Sequence, residues 1–194
     1  MIQKLAGDLT DFLLKNEIVK AEDREIYDYG FEAVLSTVVN IVIVLAIGSL
    51  ADIFLESVVF LAAFAILRVY CGGYHARTHA GCILTFMLLY SLSMLLVYVF
   101  PLEQAAWFPM AIGAASLLFI LKFAPIEHKN RPFVGNEYKN FRTMSRIIAA
   151  VEASFIFTLS LFSSQYAKSA LIVALAMFCV VLILALAKII ERKR

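Results

Sequence analysis

Charge is scarce in this chain. Asp, Glu, Lys and Arg make up 16% of its 194 residues, against 62% hydrophobic residues and a mean hydropathy of +0.87. A water-soluble domain carries about 25% charged residues, so a soluble globular fold is excluded and an integral membrane protein is expected. Cysteine is scarce too. Cys71, Cys82 and Cys179 are odd in number and make no disulfide framework. Four prolines leave long stretches free of helix breakers. No low-complexity tract or internal repeat is evident, and nothing is left over for a separate soluble domain. Lys4, Asp8, Asp11, Lys15 and Glu17 interrupt the N-terminus, which therefore does not read as a signal peptide. The net charge of +2 gives no reason to expect a nucleic-acid partner.

What is present is apolar helix. Ile2, Leu5, Ala6, Leu9, Phe12 and Leu13 recur at helical spacing, with Lys4, Asp8, Asp11 and Lys15 off the stripe. This predicts an amphipathic helix over residues 2–19, lying against membrane lipid or packed under the bundle. Residues 20–28 are strongly charged and read as a connector. Six apolar segments follow, at about 33–50, 53–70, 83–100, 105–121, 147–166 and 169–187. Each is close to the roughly 20 residues that cross a hydrocarbon core of about 30 Å. The expected fold is all-α: one polytopic membrane domain over 1–194, with six transmembrane helices and an N-terminal amphipathic helix in residues 1–28.

The distribution of charge orients these spans. With the N-terminus in the cytoplasm, the cytosolic segments hold every Lys and Arg except Lys168, whereas the outer loops carry Asp52, Glu56 and Glu103. The positive-inside rule places both termini in the cytosol.

One cytosolic stretch, from Arg68 to Cys82, concentrates chemistry: Cys71, Cys82, His75, His79, Arg68, Arg77 and three glycines, Gly72, Gly73 and Gly81. Such a cluster at a membrane edge is a functional-site candidate. Cys71 and His75 (i, i+4) or His79 and Cys82 (i, i+3) would be neighbours on a helix. His75 and Cys82 would lie about 10 Å apart along a straight helix, and can pair only if the chain bends. The glycines permit a bend. A zinc site from Cys71, His75, His79 and Cys82 is a second reading, but one straight helix cannot wrap four ligands around a tetrahedral ion. A polar turn without chemistry is the third. Glu152, in the fifth span, is an intramembrane acid for which a structural hydrogen bond is expected. Cys179 reads as a packing thiol.

The pattern Arg68-x3-Gly72-Gly73-x-His75-Ala76-x5-Cys82, followed after the fourth span by Ala124-Pro125-x3-Lys129-Asn130-Arg131-Pro132, resembles the accessory gene regulator B (AgrB) family. The resemblance extends to size and six-span layout over essentially the whole chain. It implies a membrane cysteine endopeptidase of a Gram-positive bacterium that cuts a small AgrD-like precursor and helps cyclise it into a quorum-sensing signal. It assigns Cys82 as nucleophile and His75 as its base, and leaves Cys71 and His79 without a catalytic role. No metal or other cofactor is implied.

On that reading, Cys82 attacks the carbonyl at the C-terminal edge of the signal region and holds it as a thioester, which an internal thiol or hydroxyl of the peptide displaces. Arg68, Arg77, Lys129 and Arg131 are candidate contacts for an acidic precursor tail, with lipid headgroups or topology alone as the competing explanation of the basic loop. Gly72, Gly73 and Gly81 are candidates for an oxyanion hole or a tight turn. Glu32 is a distant candidate to orient His75. A homodimer is the expectation for a small bundle. The rival from another class is a small peptide or ion transporter that breaks no bond.

Overall fold

The computed structural model describes residues 2–73, 79–101, 107–127, 133, 135–162 and 166–192. Seven α-helices account for nearly all of them: α1 (Ile2–Lys15), α2 (Arg24–Leu50), α3 (Phe54–Cys71), α4 (His79–Val99), α5 (Trp107–Phe123), α6 (Glu137–Phe162) and α7 (Ala167–Arg192). No β-strand occurs among the described residues. Five of the helices are long and apolar enough to cross a membrane, and α5, at 17 residues, is a shorter apolar helix. The protein is therefore a multi-pass membrane protein, as its composition requires.

Helices and apolar runs do not share boundaries. The connector expected at 20–28 is a 3-10 turn (Ala21–Asp23) followed directly by α2. The span expected from residue 147 belongs to a helix that starts at Glu137, and the one expected from 83 to a helix that starts at His79. The cause is physical. Hydropathy marks where a helix can be in lipid, whereas Glu, Lys and Arg are good helix formers and continue it into the aqueous interface. The expected helix over 2–19 stops at Lys15, and Glu17 has a positive φ of 54°.

The centre of the bundle is α7. Every residue from Ala170 to Met177 is buried, on all sides of the helix, which is the packing expected of a helix that is apolar all round. It contacts α3, α4, α5 and α6. Small residues bring helices close. A Cβ on Gly48 of α2 would collide with the Ser57 hydroxyl of α3, and one on Gly113 of α5 would lie 3.1 Å from Ile156 Cδ1 of α6. Phe60 and Phe64 of α3 pack on Phe86 and Tyr90 of α4, with ring centroids 4.8–6.4 Å apart across the two helices. Ser57 Oγ hydrogen-bonds Tyr90 Oη at 2.6 Å within this cluster.

The two ends of the bundle differ in charge. At one end Lys168 pairs with Glu56 at 2.9 Å and lies 4.7 Å from the centroid of the Tyr98 ring. At the other, Arg146 donates to the Leu121 carbonyl (2.8 Å), and Lys188 covers the Phe123 ring at 3.3 Å. Arg24 of α2 pairs there with Asp11 of α1 at 2.7 Å. On α1 the small side Ala6/Thr10 is buried, while Leu5, Leu9 and Phe12 stay exposed. The helix packs its small side on α2 and leaves its apolar side chains uncovered.

Candidate active site

Helix α3 ends where the sequence has two consecutive glycines. Gly72 takes φ +67° and ψ −144°, and Gly73 takes φ +108°. Residues with a Cβ are strained in both conformations. Gly72 has a second constraint, because a Cβ there would run into the Ile126 carbonyl oxygen. The turn is fastened to the segment after α5: Gly73 N–H donates to Ile126 O (3.2 Å), and Ile126 N–H donates to Cys71 O (3.0 Å). Gly72 and Ile126 thus form an isolated parallel bridge next to the cis Ala124–Pro125 peptide. The Gly72-Gly73 pair and the Ala124-Pro125 element, far apart in sequence, meet here.

This arrangement separates the two roles expected of the glycines. Gly72 N–H donates to Arg68 O at 3.2 Å, and Gly73 N–H is held by Ile126. Both amides are committed to the turn, so neither is a free oxyanion donor. Gly81 falls in the first turn of α4.

The chain leaves helix after Cys71, and Gly72 and Gly73 are not helical. Cys71 and His75 therefore do not share a helix, which removes that i, i+4 pair, whereas Cys82 lies in the first turn of α4. His75, Arg77, Lys129 and Arg131 lie outside the described residues.

The three thiols differ in access. Cys71 and Cys179 are buried in the core at 0% and 3% exposure, Cys179 with its sulfur 3.4 Å from Ser93 Oγ, and Cys82 is partly exposed. Cys82 borders a cavity of about 650 Å³, within the size range of small-ligand sites. Val38, Asn40 and Ile41 of α2, Phe64 and Arg68 of α3, and Thr85 and Phe86 of α4 contribute to its walls. Gly72, Gly73 and Ile126 close it at the turn. The lining is mostly apolar, with Tyr29, Thr37, Asn40, Arg68, Cys82 and Thr85 as its polar side chains.

Arg68 Nη1 lies 3.0 Å from where a Gly73 Cβ would be, and the guanidinium is within electrostatic range of both Cys82 and Cys71. Glu152 of α6 is near Cys71 instead. Its Oε2 is buried without a hydrogen-bond partner among the described residues, so the structural hydrogen bond expected of it is not made at that oxygen. Glu32 does not border the cavity.

Sequence reasoning missed Asn40, Ile126, Phe133 and Phe141 as cavity residues. Asn40 carried a signal, being the one carboxamide in the run 33–50. Ile126 carried none, because its role rests on its backbone.

The accessory gene regulator B profile matches residues 6–186, nearly the whole chain. The chain belongs to the AgrB family. Two relatives from Clostridium perfringens, both described only as AgrB-like, are similar to it. One, from strain SM101, is 30% identical over 68% of this chain and 64% of its own length. The other, from strain 13, is 32% identical over 57% of this chain and 54% of its own. These alignments leave more than a third of each relative unmatched. A third AgrB-like protein, from Clostridium beijerinckii, is 25% identical over 90% of this chain and 85% of its own length. No solved structure matches. Within this AgrB-family chain, the matched region includes both the glycine turn and Cys82.

Proposed function

We propose that this AgrB-family protein is a membrane cysteine endopeptidase acting on a small quorum-sensing precursor peptide. The observation that carries the reading is the position of Cys82. It is the one partly exposed thiol, it borders an apolar cavity beside Arg68, and His75 lies in the chain segment between α3 and α4. Gly73 is not helical, so α3 does not run on unbroken to Cys82, which is compatible with the bend that a His75–Cys82 pair needs.

His75 accepts the Cys82 proton, and the thiolate attacks the carbonyl at the C-terminal edge of the signal region. The tetrahedral oxyanion collapses, the C–N bond breaks, and the proton held by His75 passes to the departing amine of the tail. The signal region stays on Cys82 as a thioester. An internal thiol of the same peptide then displaces Cys82, and a thiolactone closes with Cys82 regenerated. An internal hydroxyl gives a lactone by the same exchange. With the Gly72 and Gly73 amides engaged, the first-turn amides of α4 are the remaining backbone candidates for oxyanion stabilisation. The apolar walls favour ring closure over hydrolysis by keeping water from the thioester. Lys129 and Arg131, with Arg68 and Arg77, attract an acidic tail. The site faces the cytosol of a bacterial cell membrane, and the protein works as a homodimer.

Co-expression with a candidate precursor, a short peptide with an internal Cys or Ser and an acidic tail, tests this. Wild-type protein shortens the precursor and yields a covalent precursor adduct, and Cys82→Ala and His75→Ala abolish both. Normal cutting by Cys82→Ala excludes Cys82 as the nucleophile, whereas a precursor left whole by the wild-type protein makes a transporter the better reading.

A further inference from the structure

Asn40 is the most anomalous polar residue in the wall of the cavity. It sits within α2, inside an apolar span, and its Oδ1 is buried without a hydrogen-bond partner among the described residues. An amide oxygen left unsatisfied at membrane depth is destabilising, so a residue of this kind calls for an explanation outside the fold. Thr37 and Ser57, also in apolar helices, differ from it: each donates its hydroxyl to the carbonyl four residues back, at 2.8 and 2.7 Å. Asn40 shares its cavity with Cys82.

We infer that Asn40 is a specificity residue that docks the backbone of an apolar peptide segment reaching Cys82 through this cavity. A carboxamide presents one acceptor and one donor group, the complement of a peptide unit. Its terminal torsion is soft, so either group turns toward the cavity at little cost. The rest of the wall, with Val38, Ile41, Phe64 and Phe86, accepts apolar side chains. The occupant is the acyl half of the cleaved peptide, which Asn40 meets on its way to Cys82 in the same cavity. The acyl half is the part that must be kept from water while it is held as a thioester. The departing half has to leave toward the aqueous face. This inference rests on the peptidase reading for its substrate, but its test does not.

The test compares alkylation rates of Cys82 in purified protein by two probes: iodoacetamide, and an N-acetylated apolar tripeptide chloromethyl ketone. In wild type the tripeptide probe is expected to label Cys82, protected by excess of the corresponding unreactive tripeptide amide. Asn40→Leu is expected to slow the tripeptide probe about tenfold, the size of one lost hydrogen bond to a buried group, and to leave iodoacetamide within about twofold. Asn40→Ala, which adds no bulk, must give the same split, and Asn40→Gln must restore most of the rate. A purely structural role predicts equal slowing of both probes and a lower melting temperature. Docking predicts a melting temperature at or above wild type, since an unsatisfied group has been removed. Equal slowing, an unchanged tripeptide rate in Asn40→Leu, or no tripeptide labelling of wild type overturns the inference. Precursor cleavage that survives Cys82→Ala overturns the cysteine-peptidase reading through Cys82 instead, and leaves the labelling result standing.

Discussion

Gly73 donates its backbone N–H to the carbonyl oxygen of Ile126 at 3.2 Å, and through that bond the loop after α5 holds the turn that precedes Cys82. Two loops that carry the sequence motifs thus act as one element. Activity and turn geometry should fail together when this contact is disturbed.

Gly72→Ala disturbs it directly. The new Cβ meets the Ile126 carbonyl oxygen, at a φ of +67° that a side chain disfavours. We expect a loss of about 1–3 kcal/mol in stability and at least a tenfold fall in precursor cleavage. Gly30→Ala is the control. It lies within α2 with nothing within 4 Å of its Cβ position, and should be neutral or stabilising by up to about 1 kcal/mol. Thermal unfolding in detergent and a cleavage assay read both. Normal cleavage by Gly72→Ala would show that the turn is not needed for activity.

Thiol labelling should follow burial. Cys71 and Cys179 are buried at 0% and 3% exposure, whereas Cys82 borders the cavity. Brief treatment of the folded protein with a small alkylating reagent should modify one cysteine per chain, identified by mass spectrometry as Cys82. Cys82→Ser should remove nearly all labelling, and denaturation should restore it at Cys71 and Cys179. Fast modification of Cys71 in the native protein would contradict the core packing.

Orientation is testable at two exposed turn positions at opposite ends of the bundle. In a Cys82→Ser background, a membrane-impermeant maleimide applied to intact cells should label Ala51→Cys and not Asn136→Cys. Permeabilised cells should label both. The reverse pattern would place the Cys82 end outside and remove it from any cytosolic peptide.

Tyr90→Phe probes the aromatic cluster between α3 and α4. It deletes the 2.6 Å hydrogen bond to Ser57, which keeps its bond to the Ile53 carbonyl at 2.7 Å. The expected cost is about 1 kcal/mol, read by thermal unfolding. Tyr90→Ala also removes the ring from the Phe60–Phe86 cluster and should cost about 3–5 kcal/mol. Equal effects of the two would mean that the ring packing contributes nothing.

The sequence by itself determined the class of this protein. A composition this apolar, in runs of bilayer length, has no soluble alternative, and the placement of its cations implies an orientation before any helix is seen. The Arg68–Cys82 pattern also located the candidate site, because glycine pairs and a lone Cys/His cluster stand out against apolar helix. Tertiary structure decided the rest. Helix ends are not set by hydropathy, because charged helix formers extend the helix into the interface, so α2 and α6 start well outside their apolar runs. The partner of the Gly72-Gly73 turn is a backbone carbonyl at Ile126, and backbone groups carry no sequence signature. The pairing also spends the two amides that composition alone would have offered to an oxyanion. The central position of α7, the cavity between α2, α3 and α4, and the place of Asn40 in its wall arise from packing between distant segments. No local pattern of residues encodes them.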